Sequence, residues 1–363
     1  MKKGIILMPY VSGNGGTETV VRNFLKSFKD DKDIKIDLLS IGGTSNFDWL
    51  EGLNYNMVSI SKSYSINENK FIRNTFYVSV LPFSLFKFIK KNKPDFIIST
   101  NPFMWYLSKQ IVKLLRINTK IVAWYHYSLE QHPVKQKYLK SADYYFAISS
   151  GIKAQLERKG INAQKIFLIY NPIISNKQII PRPKNYAKFL YIGRLMLDGQ
   201  KNVKELFNAL HGLKGKWSLD IYGNVYGKIE NEQKIKSYTK EIGIFNNIKW
   251  HGFVDDPWNN IDEATALILT SKFEGLPMVL CEAISHGIYC ISSDVDTGPS
   301  DIINNENGAL YQLGNIKQLR NYLQGLVDNP SLPKDSNTIV KTSEKFMLPL
   351  YKRRVKKYIL SIL

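Results

Sequence analysis

Short, mostly apolar runs recur along the first half of the chain at residues 5–8, 34–39, 96–99, 121–124, 144–148 and 166–169, and each ends in glycine, proline or polar residues. Runs of this length predict strands buried on both faces, the kind found in parallel sheets. Between the first two lies a helical pattern over 19–28, with Val20, Val21, Phe24, Leu25 and Phe28 on one face. A second series follows: strands at 189–192, 217–222, 248–253, 264–269 and 288–292 alternate with helices at 203–213, 229–242 and 278–285. In the last of these helices Pro277 suits the start and Gly287 the end. Alternation of strands and helices predicts parallel sheets, each with a ligand crevice at the carboxyl ends of its strands. Residues 173–188 keep no period and carry Pro181 and Pro183, which predicts a linker between a first domain at 1–172 and a second at 189–344. The basic amphipathic pattern over 341–363 predicts a closing helix, with 345–363 returning to the first domain.

Length agrees with this division, since 363 residues exceed one usual core. The net charge of +19 adds something the periodicity does not contain. Residues 1–180 hold 26 Lys and Arg against 12 Asp and Glu, and residues 181–363 hold 24 against 19, so the excess is mainly in the first half. An anionic partner follows: nucleic acid, anionic lipid or a phosphorylated acceptor. Within 70–93, Phe71, Phe76, Tyr77, Phe83, Phe86 and Phe88 interleave with six Lys and Arg. This reads either as a membrane-interfacial face or as a core helix with a solvated basic end, interrupted at Pro82. No apolar run is long enough to span a bilayer, and the amino terminus lacks a signal-peptide pattern. Cys281 and Cys290 fall in buried-looking segments and suit apolar fillers in a reducing compartment.

Candidate chemistry gathers where strands end. Gly13, Gly15 and Gly16 form a glycine-rich loop between the first strand and helix, either a plain tight turn or a place where backbone amides approach a phosphate. His126 follows the 121–124 strand. Arg194 follows the strand at 189–192, with Lys201 close behind, and two fixed cations there can hold a diphosphate. Glu274 precedes the 278–285 helix and Glu282 lies along it, both suited to accept hydrogen bonds from sugar hydroxyls. Together these fit a nucleotide diphosphate held between two domains. Asp294 and Asp296 resemble a metal-binding pair, but they follow a strand of this unit and no metal site is expected from them.

Gly15-Gly16-Thr17-Glu18, the His126 region, Gly193-Arg194 with Lys201, and Glu274 and Glu282 in E-x7-E spacing occur in the order found in glycosyltransferase family 4, which the chain resembles over essentially its whole length. Residues 147–153, 170–172, 199–204 and 290–294 make it most similar to bacterial lipopolysaccharide-core α-1,6-galactosyltransferases. The resemblance implies a GT-B fold, two Rossmann-like α/β domains facing each other across a donor cleft. It implies transfer of galactose, glucose or N-acetylglucosamine from a UDP-sugar to a glycan or glycolipid acceptor at the bacterial cell surface, with retention. It further implies that Gly15 and Gly16 approach the donor diphosphate, Arg194 and Lys201 neutralise it, and Glu274 and His126 meet the transferred sugar. Gly275, Leu276 and Pro277 would offer backbone contacts, Glu282 would hold the ribose, and Gly252 and Phe253 would border the base. No metal or other cofactor is implied, and the enzyme is expected in the cytoplasm at the inner face of the plasma membrane. Two rival readings remain at this point: a GT-B sugar-nucleotide epimerase, and a basic nucleic-acid-binding protein.

Overall fold

The computed structural model describes residues 1–13, 15–58, 70–174, 178–225 and 229–363, with backbone alone for residues 70–78 and 229. The chain divides into two units, one formed by Met1–Ile174 with Met347–Leu363 and the other by Ser175–Phe346.

The first unit is built from β1 (Lys2–Met8), α1 (Gly16–Phe28), β2 (Ile34–Ile41), β3 (Tyr55–Val58), α2 (Lys70–Asn92), β4 (Phe96–Ser99), α3 (Pro102–Leu114), β5 (Lys120–Ala123), α4 (Gln136–Leu139), β6 (Tyr144–Ala147), α5 (Ser150–Arg158) and β7 (Ile166–Leu168). Its seven strands are parallel, in the order β3-β2-β1-β4-β5-β6-β7. The order reverses between β1 and β4, so the loops after those strands diverge and open a crevice. Ile6, Leu7, Phe96, Ile98, Ile121 and Val122 are fully buried or nearly so, as strands covered on both faces require.

The second unit contains β8 (Ala187–Ile192), α6 (Val203–Leu210), β9 (Trp217–Tyr222), α7 (Ile229–Glu241), β10 (Ile248–Gly252), β11 (Ala266–Leu269), α8 (Met278–Ser285), β12 (Tyr289–Asp294), α9 (Pro299–Ile302), β13 (Gly308–Gln312), α10 (Ile316–Asp328) and α11 (Ser336–Lys341). Six parallel strands run β10-β9-β8-β11-β12-β13, and the order switches between β8 and β11. Phe189, Tyr191, Leu219, Ile221, Ile268 and Ile291 form one face of a core closed by Leu206, Phe207, Leu210, Leu319 and Leu323. Cys281 and Cys290 are fully buried free thiols.

Three expectations are corrected. The expected linker at 173–188 is in large part a strap on the second unit, although residues 175–177 lie outside the described ones. Ile180 N donates to the His286 carbonyl at 3.0 Å, Ala264 N donates to the Pro181 carbonyl at 2.9 Å, and Arg182 donates to the carbonyls of Pro333 and Lys334. An aperiodic, proline-containing segment reads as a linker because its partners are remote in sequence; here tertiary hydrogen bonds satisfy its backbone. Second, Pro82 does not interrupt α2, which runs through it. Leu81, Leu85 and Ile89 are buried at helical spacing while Phe83, Lys87, Lys90 and Lys91 face solvent, so the described part is a core helix with a basic outer side. The side chains of Phe71, Phe76 and Tyr77 lie outside the described residues. Third, the basic pattern over 341–363 is not one helix: α11 ends at Lys341, and α12 (Leu348–Ser361) begins after a break.

Helix α12 belongs to the first unit. Tyr351, Val355 and Ile359 make its buried stripe, and Arg354 donates to the Ile169 carbonyl at 2.8 Å. Lys352 and Lys356 lie 3.1 and 3.0 Å from the carboxylate of Asp31. Burial pushes the Asp31 carboxyl up, but hydrogen bonds from Lys356, Lys352 and the amides of Asp33 and Ile34 outweigh it and bring it down to about 2. Among the described residues no helix is long and apolar enough to cross a membrane.

Candidate active site

The loops after β8 and β11 leave adjacent strands at the switch point of the second sheet, and they carry the charges singled out in the sequence. Lys201 Nζ lies 2.6 Å from Glu274 Oε1, and both side chains are largely buried. The pair is held from its backbone. Thr270 Oγ1 donates to the carbonyls of both Lys201 and Asn202 at 3.1 Å, and Lys272 N donates to the Gln200 carbonyl at 2.7 Å. Gln200 also ties in Arg194, accepting from its Nη2 at 3.3 Å and donating to the Phe273 carbonyl at 3.2 Å. Arg194 itself is exposed at the loop surface. The structure therefore joins Arg194, Lys201 and Glu274 through Gln200.

Gly275, Leu276 and Pro277 lead from Glu274 into α8, with Pro277 as its N-cap. This turn is clamped from behind. The Thr297 hydroxyl donates to the Glu274 carbonyl, and Gly298, at φ +96°, comes so close that a Cβ there would lie 2.6 Å from Pro277 Cδ and 2.9 Å from the Gly275 oxygen. A turn gripped this tightly holds its carboxylate in a fixed place. Glu282, on α8, accepts from Trp258 Nε1 at 3.1 Å, and the Trp258 ring stacks on His286 with centroids 4.9 Å apart. Burial raises the Glu282 pKa, and the Trp258 hydrogen bond opposes that rise. The neighbouring turn holds Gly252, at φ +71°, and Phe253, which is 61% exposed and whose N–H donates to Asn224 Oδ1 at 3.0 Å. Just before it, His251 stacks on Tyr222 at 4.1 Å.

In the first unit, Gly15 is the N-cap of α1 and Gly16 its first residue, following β1 at the switch point of that sheet; Asn14 lies outside the described residues. Glu18, a family motif residue without an assigned role above, folds back over this loop. Its Oε1 accepts from Gly13 N at 3.0 Å and from Ser12 Oγ at 3.2 Å, and a Cβ on Gly15 would meet its Oε2 at 2.6 Å. Glycine at position 15 thus makes room for the carboxylate that shapes the loop. His126 lies past β5 with 9% exposure, its ring 4.6 Å from that of Trp124. Its Nε2 is buried with no hydrogen-bonding partner among the described residues, and burial lowers its pKa to about 3, so the imidazole is neutral.

Sequence reasoning missed Trp258, Thr297 and Thr270, which donate to Glu282, Glu274 and Lys201 respectively, and the Asn202–Glu205 pair that follows Lys201. No local pattern marks them, because each acts through a neighbour distant in sequence or through an unusual backbone angle. Only Asp256-Pro257-Trp258, with Asp256 capping a helical turn, bears a recognisable local signature.

Residues 14–177 match the family described as glycosyltransferase family 4, and residues 173–345 match glycosyl transferases group 1. The chain is 36% identical to the lipopolysaccharide 1,6-galactosyltransferase of Escherichia coli K12, covering 84% of each chain. It is 35% identical to the protein of the same description from Salmonella typhimurium, covering 94% of each. The chain belongs to glycosyltransferase family 4. Among solved structures, the apo form of the lipopolysaccharide outer core galactosyltransferase WaaB superimposes with a TM-score of 0.84 at 34% identity, covering 99% of this chain and 100% of that one. The two parallel-sheet units are therefore the Rossmann-like halves of a GT-B glycosyltransferase, which sets aside the nucleic-acid-binding reading. In this family 4 enzyme, Arg194, Lys201 and Glu274 occupy the carboxyl edge of the second sheet, where such folds bind ligands.

Proposed function

We propose that this glycosyltransferase moves a hexose from a UDP-sugar to a hydroxyl of a bacterial cell-surface glycan, with retention at the anomeric carbon. The observation that carries the reading is the Lys201–Glu274 pair at the switch point of the second sheet, 2.6 Å apart and tied to Arg194 through Gln200. It places cations suited to a diphosphate beside a carboxylate suited to sugar hydroxyls. Galactose is favoured as the hexose, and lipopolysaccharide as the acceptor, because two relatives at 36% and 35% identity are described as lipopolysaccharide 1,6-galactosyltransferases.

In this reading the bond between the anomeric carbon and the diphosphate oxygen breaks as the acceptor oxygen attacks from the same face. The acceptor proton passes to the departing phosphate. Arg194 and Lys201 neutralise the charge that develops on the diphosphate. Glu274 orients hydroxyls of the hexose. Gly275, Leu276 and Pro277 supply backbone contacts, Glu282 accepts from the ribose hydroxyls, and Gly252 and Phe253 border the base. With two cations and backbone amides present, the leaving diphosphate needs no metal. Phe83 with Lys87, Lys90 and Lys91 on the outer side of α2 supports association with an anionic membrane, where a glycolipid acceptor resides.

The test is a product screen of the purified protein against UDP-galactose, UDP-glucose, UDP-N-acetylglucosamine, GDP-mannose and ADP-glucose, with truncated lipopolysaccharide as acceptor. Sugar transfer from UDP-galactose is expected. UDP-sugar conversion without any acceptor would favour an epimerase instead, and transfer only from a GDP- or ADP-sugar would overturn the donor assignment.

A further inference from the structure

Asn202 is the N-cap of α6, yet it does not cap in the usual way. Its backbone is left-handed, at φ 48° and ψ 43°, and its side chain accepts no hydrogen bond from the first turn. An N-cap asparagine ordinarily has extended backbone and accepts from the second or third helical amide. Here the side-chain amide donates instead, from Nδ2 to Glu205 Oε2 at 2.6 Å. Glu205 stands in the first turn of α6, where the helix dipole favours a carboxylate, and its second oxygen accepts from Gly314 N at 2.9 Å. Asn202 and Glu205 are 6% and 7% exposed, so both are committed to the interior.

Left-handed backbone is the province of glycine, and asparagine adopts it only where its short side chain finds local partners. The residue immediately before this bend is Lys201. The chain direction at position 202 decides where the Lys201 side chain starts from, and Thr270 Oγ1 pins the two carbonyls on either side of the bend at 3.1 Å each. We infer that Asn202 and Glu205 are positioning residues for Lys201: the Glu205 carboxylate holds Asn202 in the left-handed conformation, and that conformation delivers the Lys201 ammonium to Glu274 and to the donor diphosphate. The inference rests on the reading of Lys201 as a ligand of that diphosphate.

The sign of one substitution separates this role from simple electrostatics. Removing a negative charge near an anion site strengthens anion binding if charge alone matters; if Glu205 acts by positioning, removing it weakens binding. The probe is UDP, with affinity measured by calorimetry on the full-length protein and folding checked by circular dichroism. Lys201→Ala should weaken UDP binding by about tenfold or more, Asn202→Ala and Glu205→Gln by about fivefold to tenfold, and Asn202→Gly by less than about twofold, because glycine adopts the bend unaided. In the Asn202→Gly background, adding Glu205→Gln should cost little more. Tighter UDP binding by Glu205→Gln, or equal damage from Asn202→Gly and Asn202→Ala, would overturn the positioning role even when Lys201→Ala binds UDP poorly. Wild-type affinity in Lys201→Ala would instead remove the diphosphate reading on which the inference stands, and the inference with it. Asn202→Gly keeps the test informative if Glu205→Gln fails to fold.

Discussion

Lys201 and Glu274 form a largely buried ion pair at 2.6 Å, although 72 residues of chain separate them. Removing one partner leaves the other charge buried and uncompensated, which costs about 3 kcal/mol in comparable pairs. Lys201→Ala and Glu274→Ala should therefore each abolish transfer and also lower the denaturation midpoint. The double variant Lys201→Met/Glu274→Gln should recover much of the lost stability and none of the activity. Urea denaturation alongside an assay of UDP release checks both halves. Wild-type-like turnover in either single variant would falsify the assignment of the site.

The hydrogen bond from Trp258 Nε1 to Glu282 Oε2 makes a separate prediction. Burial raises the Glu282 pKa and this bond restrains it, so Trp258→Phe, which keeps an aromatic ring beside His286, should raise it further. If the ionised carboxylate accepts from the ribose, UDP affinity in the variant should start to fall at a higher pH than in the wild type. Calorimetric titrations between about pH 4.5 and 7.5 would show the displacement. Superimposable pH profiles would detach Trp258 from any control of Glu282.

His126 titrates far below its usual range, at about 3 against 6.5, because burial disfavours the imidazolium. The unfolded chain takes up a proton below pH 6.5 that the folded chain refuses. The resulting contribution to stability is present above 6.5 and is lost as pH falls from there toward 3. The slope is at most about 1.4 kcal/mol per pH unit for one group. Denaturation curves at pH 7 and pH 5 should show a smaller difference for His126→Gln than for the wild type. The Asp31 carboxyl, brought down to about 2 by its lysine and backbone partners, contributes in the same direction only below its ordinary value of 3.8, so the two groups act in windows that barely overlap.

Metal independence makes a fourth prediction. Turnover with UDP-galactose should be undiminished by EDTA in excess, and a loss restored specifically by manganese would reassign charge neutralisation from Arg194 and Lys201 to a cation.

The family likeness and most of the fold were legible in the order of the residues. Strands 96–99 and 217–222 and the helix over 278–285 coincide with β4, β9 and α8, because a buried parallel strand is a short apolar run and an amphipathic helix repeats its apolar residues. Strands β3 and β13 escaped notice: each lies at an edge of its sheet and carries polar or half-exposed residues. The strap over 178–188 was misread because its hydrogen-bonding partners lie roughly 80 to 150 positions away.

The sequence by itself determined which elements exist and which functional side chains the chain owns, since local periodicity, turn residues and motif spacing are properties of neighbours along the chain. Tertiary structure decided what those side chains do to one another. It paired Lys201 with Glu274, linked Arg194 to them through Gln200, set Trp258 on Glu282, and folded Glu18 over the glycine loop. These relationships arise where strands adjacent in the sheet but distant in the chain end together, and no window of sequence contains both partners.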